Sequence, residues 1–328
     1  MSKTFLATLN PMLTLFLCMA IGYAVKRTGI VTREAASSLS RLETWVFCPA
    51  LSFITMARYC TLSSLATHGF NVLLAGIAIA LAVAIATPLS ALFTRERSLR
   101  GIYKYALAFG NFGYLGDPII LALFGGEALA YYKLFTLPLT VMVYSWGFAV
   151  LVPETEQKGS VLKRLLNLPL MALLVGVAVG ISGLGEHLPA FFVSTMDSLT
   201  GCMGPVAMLI AGITVASYGF RAMLTDKRVY VATLLRLFVL PAVIVAAVYG
   251  AKELINLVFD AGIGNAPLHL AFFAFAAPLG LNTVVFPEAY GGDPAPGASM
   301  AMISHTLCIV SIPLLYSLLT VIFGPMAL

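Results

Sequence analysis

Apolar residues run along this chain in long blocks, and polar residues are mostly confined to the short stretches between the blocks. Each block is close to the ~20 residues that an α-helix needs to cross the hydrocarbon core of a bilayer. The pattern therefore predicts an all-α membrane protein that crosses the bilayer many times. The ten predicted transmembrane helices are residues 5–25, 39–57, 69–93, 101–124, 128–152, 168–185, 190–218, 229–250, 267–290 and 297–323.

Basic residues in the predicted loops alternate between the two sides of the membrane. Loops that follow an odd-numbered span are rich in lysine and arginine, and the opposite side has few. By the positive-inside rule the basic loops face the cytoplasm, so both termini are expected on the extracytoplasmic side of the cell inner membrane. The basic loops hold Lys26, Arg27, Arg33, Arg41, Arg95, Arg97, Arg100, Lys104, Lys158, Lys163, Arg164, Arg221, Lys227 and Arg228, and the opposite side holds Lys3, Arg58 and Lys252.

Composition agrees with this assignment. Hydrophobic residues make up 60% of the chain and charged residues 10%, against ~25% charged residues in an ordinary soluble domain. The net charge of +5 comes from the loops that set topology, so nucleic acid is not an expected partner. The first apolar block is too long for a typical signal peptide and is expected to remain as the first helix. The five cysteines are scattered without a CxxC pair, so neither a disulfide framework nor a metal site is expected.

Three pairs of similar segments recur in the same order in the two halves of the chain. Pro11 in "NPMLTLFLCMAIGYAV" matches Pro169 in "LPLMALLVGVAVGISG", "VFCPALSFITMA" pairs with "CMGPVAMLIAGI", and "LALFGGE" pairs with "PEAYGGD". We therefore predict two five-helix repeats, residues 1–153 and 168–328, joined by a cytoplasmic linker, residues 154–167. Because five is odd, the repeats lie inverted in the membrane, which is typical of secondary transporters.

Two of the predicted helices contain residues that interrupt a helix. Span 4 contains "GNFGYLGDPII" and is expected to break at Gly110–Pro118, and span 9 contains "AAPLGLNT" and is expected to break at Ala276–Thr283. In hydrocarbon an unpaired backbone group costs several kcal/mol, so such breaks persist only inside protein or beside a wet cavity. Matching breaks in inverted halves indicate the substrate site of a transporter, where the N-termini of half-helices suit an anion.

Polar residues lie at both predicted breaks. Asn111 and Asn282 can hydrogen-bond a substrate or satisfy freed backbone groups, and Pro278 removes one helix donor.

Asp117 has two interpretations. Followed by Pro118, it fits the N-cap of the second half-helix. Alternatively it is a protonatable or cation-binding group, because an ionised carboxylate at midplane depth is costly and a bound proton or sodium ion would couple the ion to the substrate.

Six further polar residues lie in the predicted spans. Lys133 and Arg236 can attract an organic anion, snorkel, or pair locally. Two histidines are expected to be hydrogen-bonded within the bundle, with a proton relay as the alternative. Two carboxylates are expected near the helix ends of spans 2 and 7, at the water boundary. The histidines are His269 and His305, and the carboxylates are Glu43 and Asp197.

No motif indicates an enzyme. "YLGD" is similar to the GxGD of intramembrane aspartyl proteases, but position 114 is tyrosine and the Tyr-Asp signature of the second aspartate is absent. HExxH, GxSxG and Walker sequences are absent as well. We therefore expect no catalytic residues and no cofactor. A channel is the other alternative, since helix breaks in inverted repeats also occur in pores.

These segments resemble the auxin efflux carrier family, which includes plant PIN-type auxin exporters and bacterial permeases for malonate and related acids. "GNFGYLGDPIILALFGGE" resembles the family's fourth-helix motif, and "APLGLNTVVFPEAYGGD" resembles its ninth-helix motif. "GYAVKRTGIVTREAASSLSRLETWVFCPALSF" is similar to the family's opening. The resemblance covers essentially the whole chain, in the short prokaryotic form without the long central loop of plant members.

The resemblance implies a scaffold of helices 1, 2, 6 and 7, often forming a homodimer, and a moving transport domain of helices 3–5 and 8–10. Helices 4 and 9 would cross at the substrate site. Relatives commonly carry an apolar residue where this chain has Asp117, so the coupling ion stays open. The predicted substrate-binding residues are Asn111, Phe112, Gly113, Pro118, Pro278, Leu279 and Asn282, and the predicted ion-coupling residue is Asp117.

We therefore predict a secondary active transporter that moves a small organic anion, a mono- or dicarboxylate, across the bilayer by alternating access. A proton gradient, a sodium gradient or the substrate's own gradient would drive it. One alternative is a sodium-coupled symporter of the related bile-acid-symporter type, which would need clustered Glu, Gln and Asn ligands around the crossing. A second alternative is a membrane sensor that keeps the same fold without transporting.

Overall fold

The computed structural model describes residues 2–157, 160–218 and 226–327, and the regular elements in these ranges are all helical. The α-helices are α1 Ser2–Arg27, α2 Arg33–Leu42, α3 Cys48–Tyr59, α4 Leu62–His68, α5 Phe70–Leu89, α6 Arg97–Ala108, α7 Asp117–Met142, α8 Phe148–Leu151, α9 Val161–Leu165, α10 Leu168–Ile181, α11 Ala190–Ala216, α12 Lys227–Leu234, α13 Leu240–Phe259, α14 Ala266–Ala276, α15 Asn282–Ala289 and α16 Ala295–Phe323. The prediction of an all-α protein is confirmed for these ranges.

Among the described residues, six helical stretches are long and apolar enough to cross a bilayer, and one bent pair of helices would make a seventh. The multi-pass membrane character is thus supported, whereas the count of ten helices stays a prediction. One 40-residue stretch, Phe112–Leu151, covers the second part of predicted span 4 and nearly all of span 5, and the apolar helices at predicted spans 6 and 9 are short. The six stretches are Lys3–Arg27, Phe70–Leu92, Phe112–Leu151, Ala190–Ala216, Lys227–Phe259 and Ala295–Phe323.

Four of the described helical runs widen into a π-helical turn. These turns are Glu43–Phe47, Phe112–Gly116, Val143–Gly147 and Leu235–Val239. Three of them lead directly into a helix whose second residue is proline. A proline ring lacks an N–H and clashes with the carbonyl four residues earlier, and the wider turn accommodates both changes without ending the helix. Such turns are frequent at functional sites.

Helix α7 is kinked at Gly125, where φ is 83° and ψ is −175°, a backbone conformation that glycine adopts without strain. The kink folds the second half of α7 back beside the chain that precedes it. The Tyr132 hydroxyl donates to the Phe112 carbonyl oxygen at 3.1 Å, although twenty residues of straight helix would separate them by about 30 Å. The kink therefore brings side chains from predicted spans 4 and 5 together.

The helices pack in two groups. In the first group α1 lies along α11, and α3 lies along α10 and α11. In the second group α5 contacts α6, α7 and α13, and α13 contacts α14. The first group contains helices predicted for the scaffold and the second contains helices predicted for the transport domain. The two groups also touch where α1 and α3 contact α7, and the division into domains stays a prediction.

Charged residues near the predicted loops pair locally. Arg97 forms an ion pair with Glu154, and Arg228 with Asp226. Both pairs lie at ends of helices that the sequence places on the cytoplasmic side. Two basic residues used above to orient the chain, Lys158 and Arg221, lie outside the described residues.

Candidate functional site

Both predicted interruptions are present, and their backbones meet. Helices α6 and α14 end, and Gly110 forms an antiparallel β-bridge with Leu279. Beside it the Asn111 N–H donates to the Pro278 carbonyl oxygen at 2.7 Å. Two extended segments from distant parts of the sequence thus pair inside a helical bundle, where two helix ends and two helix starts come together.

The interruption in span 4 is shorter than predicted. Only residues 109–111 leave helical geometry before the π-helical turn begins at Phe112, so the prediction of a break that continues to Pro118 is wrong. The π turn explains the difference, because it lets the chain re-enter a helix several residues before the proline. In span 9 the interruption covers residues 277–281.

Backbone groups released by the breaks are bonded within the protein. The Leu279 N–H donates to Ser304 Oγ at 3.1 Å, and the Asn111 carbonyl oxygen accepts the N–H groups of Leu115 and Gly116, each at 3.1 Å. The Phe112 carbonyl accepts from the Tyr132 hydroxyl, as described above. Irregular backbone at membrane depth is tolerated when its polar groups are satisfied in this way.

Gly110 is a point of very close approach in the crossing. A β-carbon on Gly110 would lie 2.1 Å from Arg236 Nη2 and 2.8 Å from the Ala277 carbonyl oxygen. Both distances are shorter than any ordinary contact, so a larger residue would push the two segments apart. The short extended pairing therefore depends on glycine at this position.

The two predicted asparagines are hydrogen-bonded to partners from other helices. Asn282 Nδ2 donates to the Tyr105 hydroxyl at 2.8 Å, and Asn111 Nδ2 lies 3.2 Å from His305 Nε2. His305 Nδ1 lies 2.8 Å from the Ala301 carbonyl oxygen, which only accepts, so Nδ1 carries the hydrogen and Nε2 accepts from Asn111. Each asparagine NH2 group has a second hydrogen that these bonds leave available.

Asp117 forms a buried ion pair with Lys133, and the side chains are 1% and 9% exposed. The interpretation of Asp117 as an N-cap is wrong. The preceding Gly116 has helical backbone angles, and no side-chain capping bond is made. Because the π turn continues directly into α7, there is no free helix end for Asp117 to cap. Its second oxygen, Oδ1, is buried without a partner.

A cavity of about 130 Å³ lies between the crossing and the neighbouring helices. Its wall combines peptide groups at the breaks with the Asp117–Lys133 pair and with several hydroxyl groups. The lining residues are Thr44, Cys48, Ser52, Tyr105, Gly110, Asn111, Phe112, Gly113, Tyr114, Asp117, Lys133, Thr136, Leu137, Thr140, Val143, Tyr144, Asn167, Pro169, Leu170, Leu173, Met203, Gly280, Leu281 and Asn282. The cavity is thus bounded both by the broken helices and by α3, α10 and α11.

Most of the predicted site residues line this cavity, and three do not. Pro278 and Leu279 belong to the backbone pairing behind it, and Pro118 packs against α11 beside Gly204. The lining residues among those predicted are Asn111, Phe112, Gly113, Asn282 and Asp117. Substrate binding at these positions stays a prediction.

Sequence reasoning missed two polar stripes that form much of the cavity wall. Thr44, Cys48 and Ser52 follow one another at a spacing of four residues along the π turn Glu43–Phe47 and α3. Thr136, Thr140 and Tyr144 do the same along α7 and the π turn after it. Residues four apart share one face of a helix, so a search for polar residues at this spacing inside apolar spans would have found both stripes.

The other polar residues singled out from the sequence have mixed outcomes. Asp197 is half exposed and forms a two-pronged ion pair with Arg58 at 2.8 Å, as expected for the water boundary. The same expectation for Glu43 is wrong, because its side chain is fully buried in the π turn and neither carboxylate oxygen has a partner. His269 Nδ1 lies 3.1 Å from the Tyr316 hydroxyl, which agrees with a hydrogen-bonded histidine.

Apolar helices, two interrupted segments that meet and a cavity beside them whose wall contains polar groups define a multi-pass protein with the layout of a membrane transporter. Comparison with known proteins agrees. The model of the membrane transport protein family matches residues 7–316. The chain therefore belongs to this family, which includes the auxin efflux carriers.

A relative from Methanothermobacter thermautotrophicus, described as an uncharacterized transporter, is 25% identical to the chain over 215 residues. The match covers 64% of this chain and 68% of the relative. It agrees with the family assignment and carries no information about a substrate.

Proposed function

We propose that the protein is a secondary active transporter that carries a small organic anion, a mono- or dicarboxylate, across the cytoplasmic membrane by alternating access. The observation that carries this proposal is the polar cavity beside two interrupted helices, with a lysine in its wall. Its volume of about 130 Å³ is far above the ~10–15 Å³ that one water needs. It is below the ~300–1,000 Å³ of pockets for drug-sized ligands, so a small solute fits best.

The charge and the helix ends of the cavity favour an anion. Among the described residues that line the cavity, Lys133 is the only lysine or arginine. The π turn at Phe112 and helix α15 at Asn282 both begin at the cavity, and a helix start carries a partial positive charge. In α15 the N–H groups of Thr283 and Val284 already donate to the Gly280 and Leu281 carbonyl oxygens, so we propose that the π turn supplies the N–H groups for a substrate. A carboxylate of the substrate would take its hydrogen bonds from these groups and from the free hydrogens of the two asparagines.

The position of the cavity supports alternating access. It lies between the helices predicted to move and those predicted to form the scaffold, α3, α10 and α11. Its wall includes Asn167, the last residue of the predicted cytoplasmic linker, and Pro169 in the first turn of α10. With the orientation predicted from the basic loops, we propose that this is an inward-facing state and that a shift of the broken helices against the scaffold exposes the same groups to the other side.

Coupling to protons is proposed for Asp117. A substrate carboxylate that binds Lys133 would displace Asp117 from its ion pair. A buried carboxylate without a partner is costly at membrane depth, so Asp117 would then take up a proton from the side to which the cavity is open. One proton would accompany each substrate carboxylate, and both would leave together on the other side.

Asp117→Asn tests this coupling. The amide cannot carry a proton across, so accumulation driven by an imposed pH gradient in proteoliposomes is expected to fall to the level without a gradient. Exchange of labelled for unlabelled substrate is expected to continue, because Lys133 remains. Asp197→Asn, which removes an aspartate paired at the water boundary, is the matched control and should accumulate substrate like the wild type. Gradient-driven accumulation that survives Asp117→Asn unchanged contradicts the coupling role.

Ligand-dependent melting of the purified protein tests the proposed substrate class. A ligand that binds only the folded state stabilises it by about 2.7 kcal/mol at one hundred times its dissociation constant. Acetate, lactate, malonate and succinate are the probes, with chloride and the corresponding amides as controls. At least one carboxylate is expected to raise the Tm by several degrees. No shift with any carboxylate, or equal shifts with the amides, contradicts an anion site.

A further inference from the structure

Arg236 is a buried cation that the proposed transport mechanism does not use. It lies in the π turn between α12 and α13, its side chain is 2% exposed, and it does not line the cavity. Nε and Nη2 have no hydrogen-bond partner, and no carboxylate of the described residues forms an ion pair with it. A guanidinium group is costly to bury without compensation, so its surroundings have to supply negative potential.

The surroundings of Arg236 are the carbonyl ends of the two interrupted helices. Nη1 lies 3.5 Å from the Leu107 carbonyl oxygen, which belongs to the last turn of α6 and lacks a helical partner. The Ala277 carbonyl oxygen, just after α14, lies on the same side of Gly110 as Nη2. A β-carbon built on Gly110 would be 2.1 Å from Nη2 and 2.8 Å from the Ala277 oxygen. The C-terminal end of a helix carries a partial negative charge. The end of α6 thus contacts the guanidinium directly, and the end of α14 lies close to it without a hydrogen bond.

In carriers built from broken helices, unwound carbonyls and the C-terminal ends of half-helices are where a sodium ion or a proton is held. We infer that the guanidinium of Arg236 occupies this place as a permanent internal cation, so that the crossing needs no sodium ion to hold its carbonyl ends together. Arginine suits this role because it stays protonated in proteins and is more weakly hydrated than an ammonium group. The inference extends the proposed function by removing sodium from the transport cycle.

The stability of purified variants tests the inference without any assay of transport. Arg236→Lys keeps the positive charge, whereas Arg236→Met keeps most of the volume and removes the charge. The Tm of the wild type is expected to be the same in sodium chloride and in choline chloride. Arg236→Met is expected to melt several degrees below both the wild type and Arg236→Lys. A Tm of Arg236→Met equal to or above that of the wild type overturns the inference, as does stabilisation of the wild type by sodium over choline.

Arg236→Ala adds a test by rescue, because it leaves a cationic site empty between the carbonyl ends. Low millimolar guanidinium or sodium is expected to raise the Tm of Arg236→Ala, and tetramethylammonium, which is too large and has no N–H donors, is not. The wild type should gain nothing from these additions. Equal effects of all three cations on Arg236→Ala, or equal effects on the wild type, overturn the inference. If Arg236→Ala does not fold, the comparison of Arg236→Met with Arg236→Lys still decides the question.

A transport assay gives a second readout, which rests on the proposed function. Exchange of labelled carboxylate by the wild type is expected at the same rate in sodium and in choline, and sodium dependence is expected only in Arg236→Ala. A wild type that requires sodium overturns the inference. Should no carboxylate be transported under any condition, the proposed function fails, and the melting experiments still show whether Arg236 holds the carbonyl ends.

Discussion

Lys133→Met is expected to abolish carboxylate transport, with uptake falling at least one hundredfold to the level of empty liposomes. Lys133 is the basic side chain in the described wall of the cavity, and its partner Asp117 repels an anion once the lysine is gone. A hydrogen bond to a charged group typically contributes about 1.5–3 kcal/mol of net stabilisation. A bound carboxylate that is buried without a charged partner would lose more binding free energy than this. Lys133→Arg, which keeps the charge, should retain measurable uptake.

Loss of folding and loss of binding have to be separated in this experiment. Removing one partner of a buried ion pair typically destabilises by about 3–5 kcal/mol because the other charge stays buried. The double variant Lys133→Met with Asp117→Asn removes both charges, so it is expected to recover the Tm of the wild type and still fail to transport. Lys252→Met is the matched control, since Lys252 is also largely buried and paired with Glu253 at 2.7 Å, outside the cavity. A double variant that transports normally contradicts the role of Lys133.

Gly110→Ala is expected to open the crossing and stop transport. The new methyl group would lie 2.8 Å from the Ala277 carbonyl oxygen and 3.1 Å from the Ala277 β-carbon. The arginine side chain nearby can move, but the Ala277 backbone has to shift, and the bridge between Gly110 and Leu279 has to lengthen. Forcing extra atoms into a packed interior typically costs about 1–3 kcal/mol, so a lower Tm is expected together with the loss of uptake.

Gly76→Ala is the matched control for this substitution. Gly76 lies within α5, and a β-carbon there would meet nothing within 4 Å. Alanine is favoured over glycine in a helix by about 1 kcal/mol, so Gly76→Ala should be as stable as the wild type or more so, with normal uptake. Gly110→Ala with wild-type Tm and transport would show that the close pairing of the two breaks has no functional importance.

The sequence allowed much of the crossing to be predicted, because glycine, asparagine and proline are conspicuous inside apolar spans. Asn111 and Asn282 do lie on the cavity at the two breaks. The exact extent of the break could not be predicted, since both a broken chain and a π turn tolerate the pair Asp117–Pro118. Only the three-dimensional structure shows that the chain is already helical from Phe112.

The ion pair in the cavity could not be predicted from spacing. Asp117 and Lys133 are sixteen residues apart, and in an unbroken helix they would lie about 24 Å apart. They meet because Gly125 kinks α7 with a positive φ, and a Gly-Gly pair in a sequence is compatible with a helix, a kink or a loop. The buried position of Glu43 was missed for a related reason, because burial there depends on how α11 packs against the π turn.

Which residues form the cavity wall opposite the broken helices also depends on packing between segments that are distant in the sequence. Asn167 caps the N-terminus of α10 and Met203 lies in α11, and neither lies in a sequence pattern that marks a site. The two polar stripes, which run along α3 and α7 and their adjoining π turns, are different, because their spacing of four residues was present in the sequence. Polar and helix-breaking residues inside apolar spans thus predict the broken helices well, but they do not predict which residues of α10 and α11 form the opposite wall of the cavity.

Exchange of labelled carboxylate in proteoliposomes tests most directly whether the crossing is a carrier site for a small organic anion. Liposomes loaded with an unlabelled mono- or dicarboxylate and diluted into trace labelled carboxylate are expected to take up label transiently above equilibrium. This uptake should saturate with concentration and disappear in Lys133→Met. Flux that never saturates and shows no exchange would indicate a pore, and the absence of any carboxylate flux from protein of normal Tm would contradict the account.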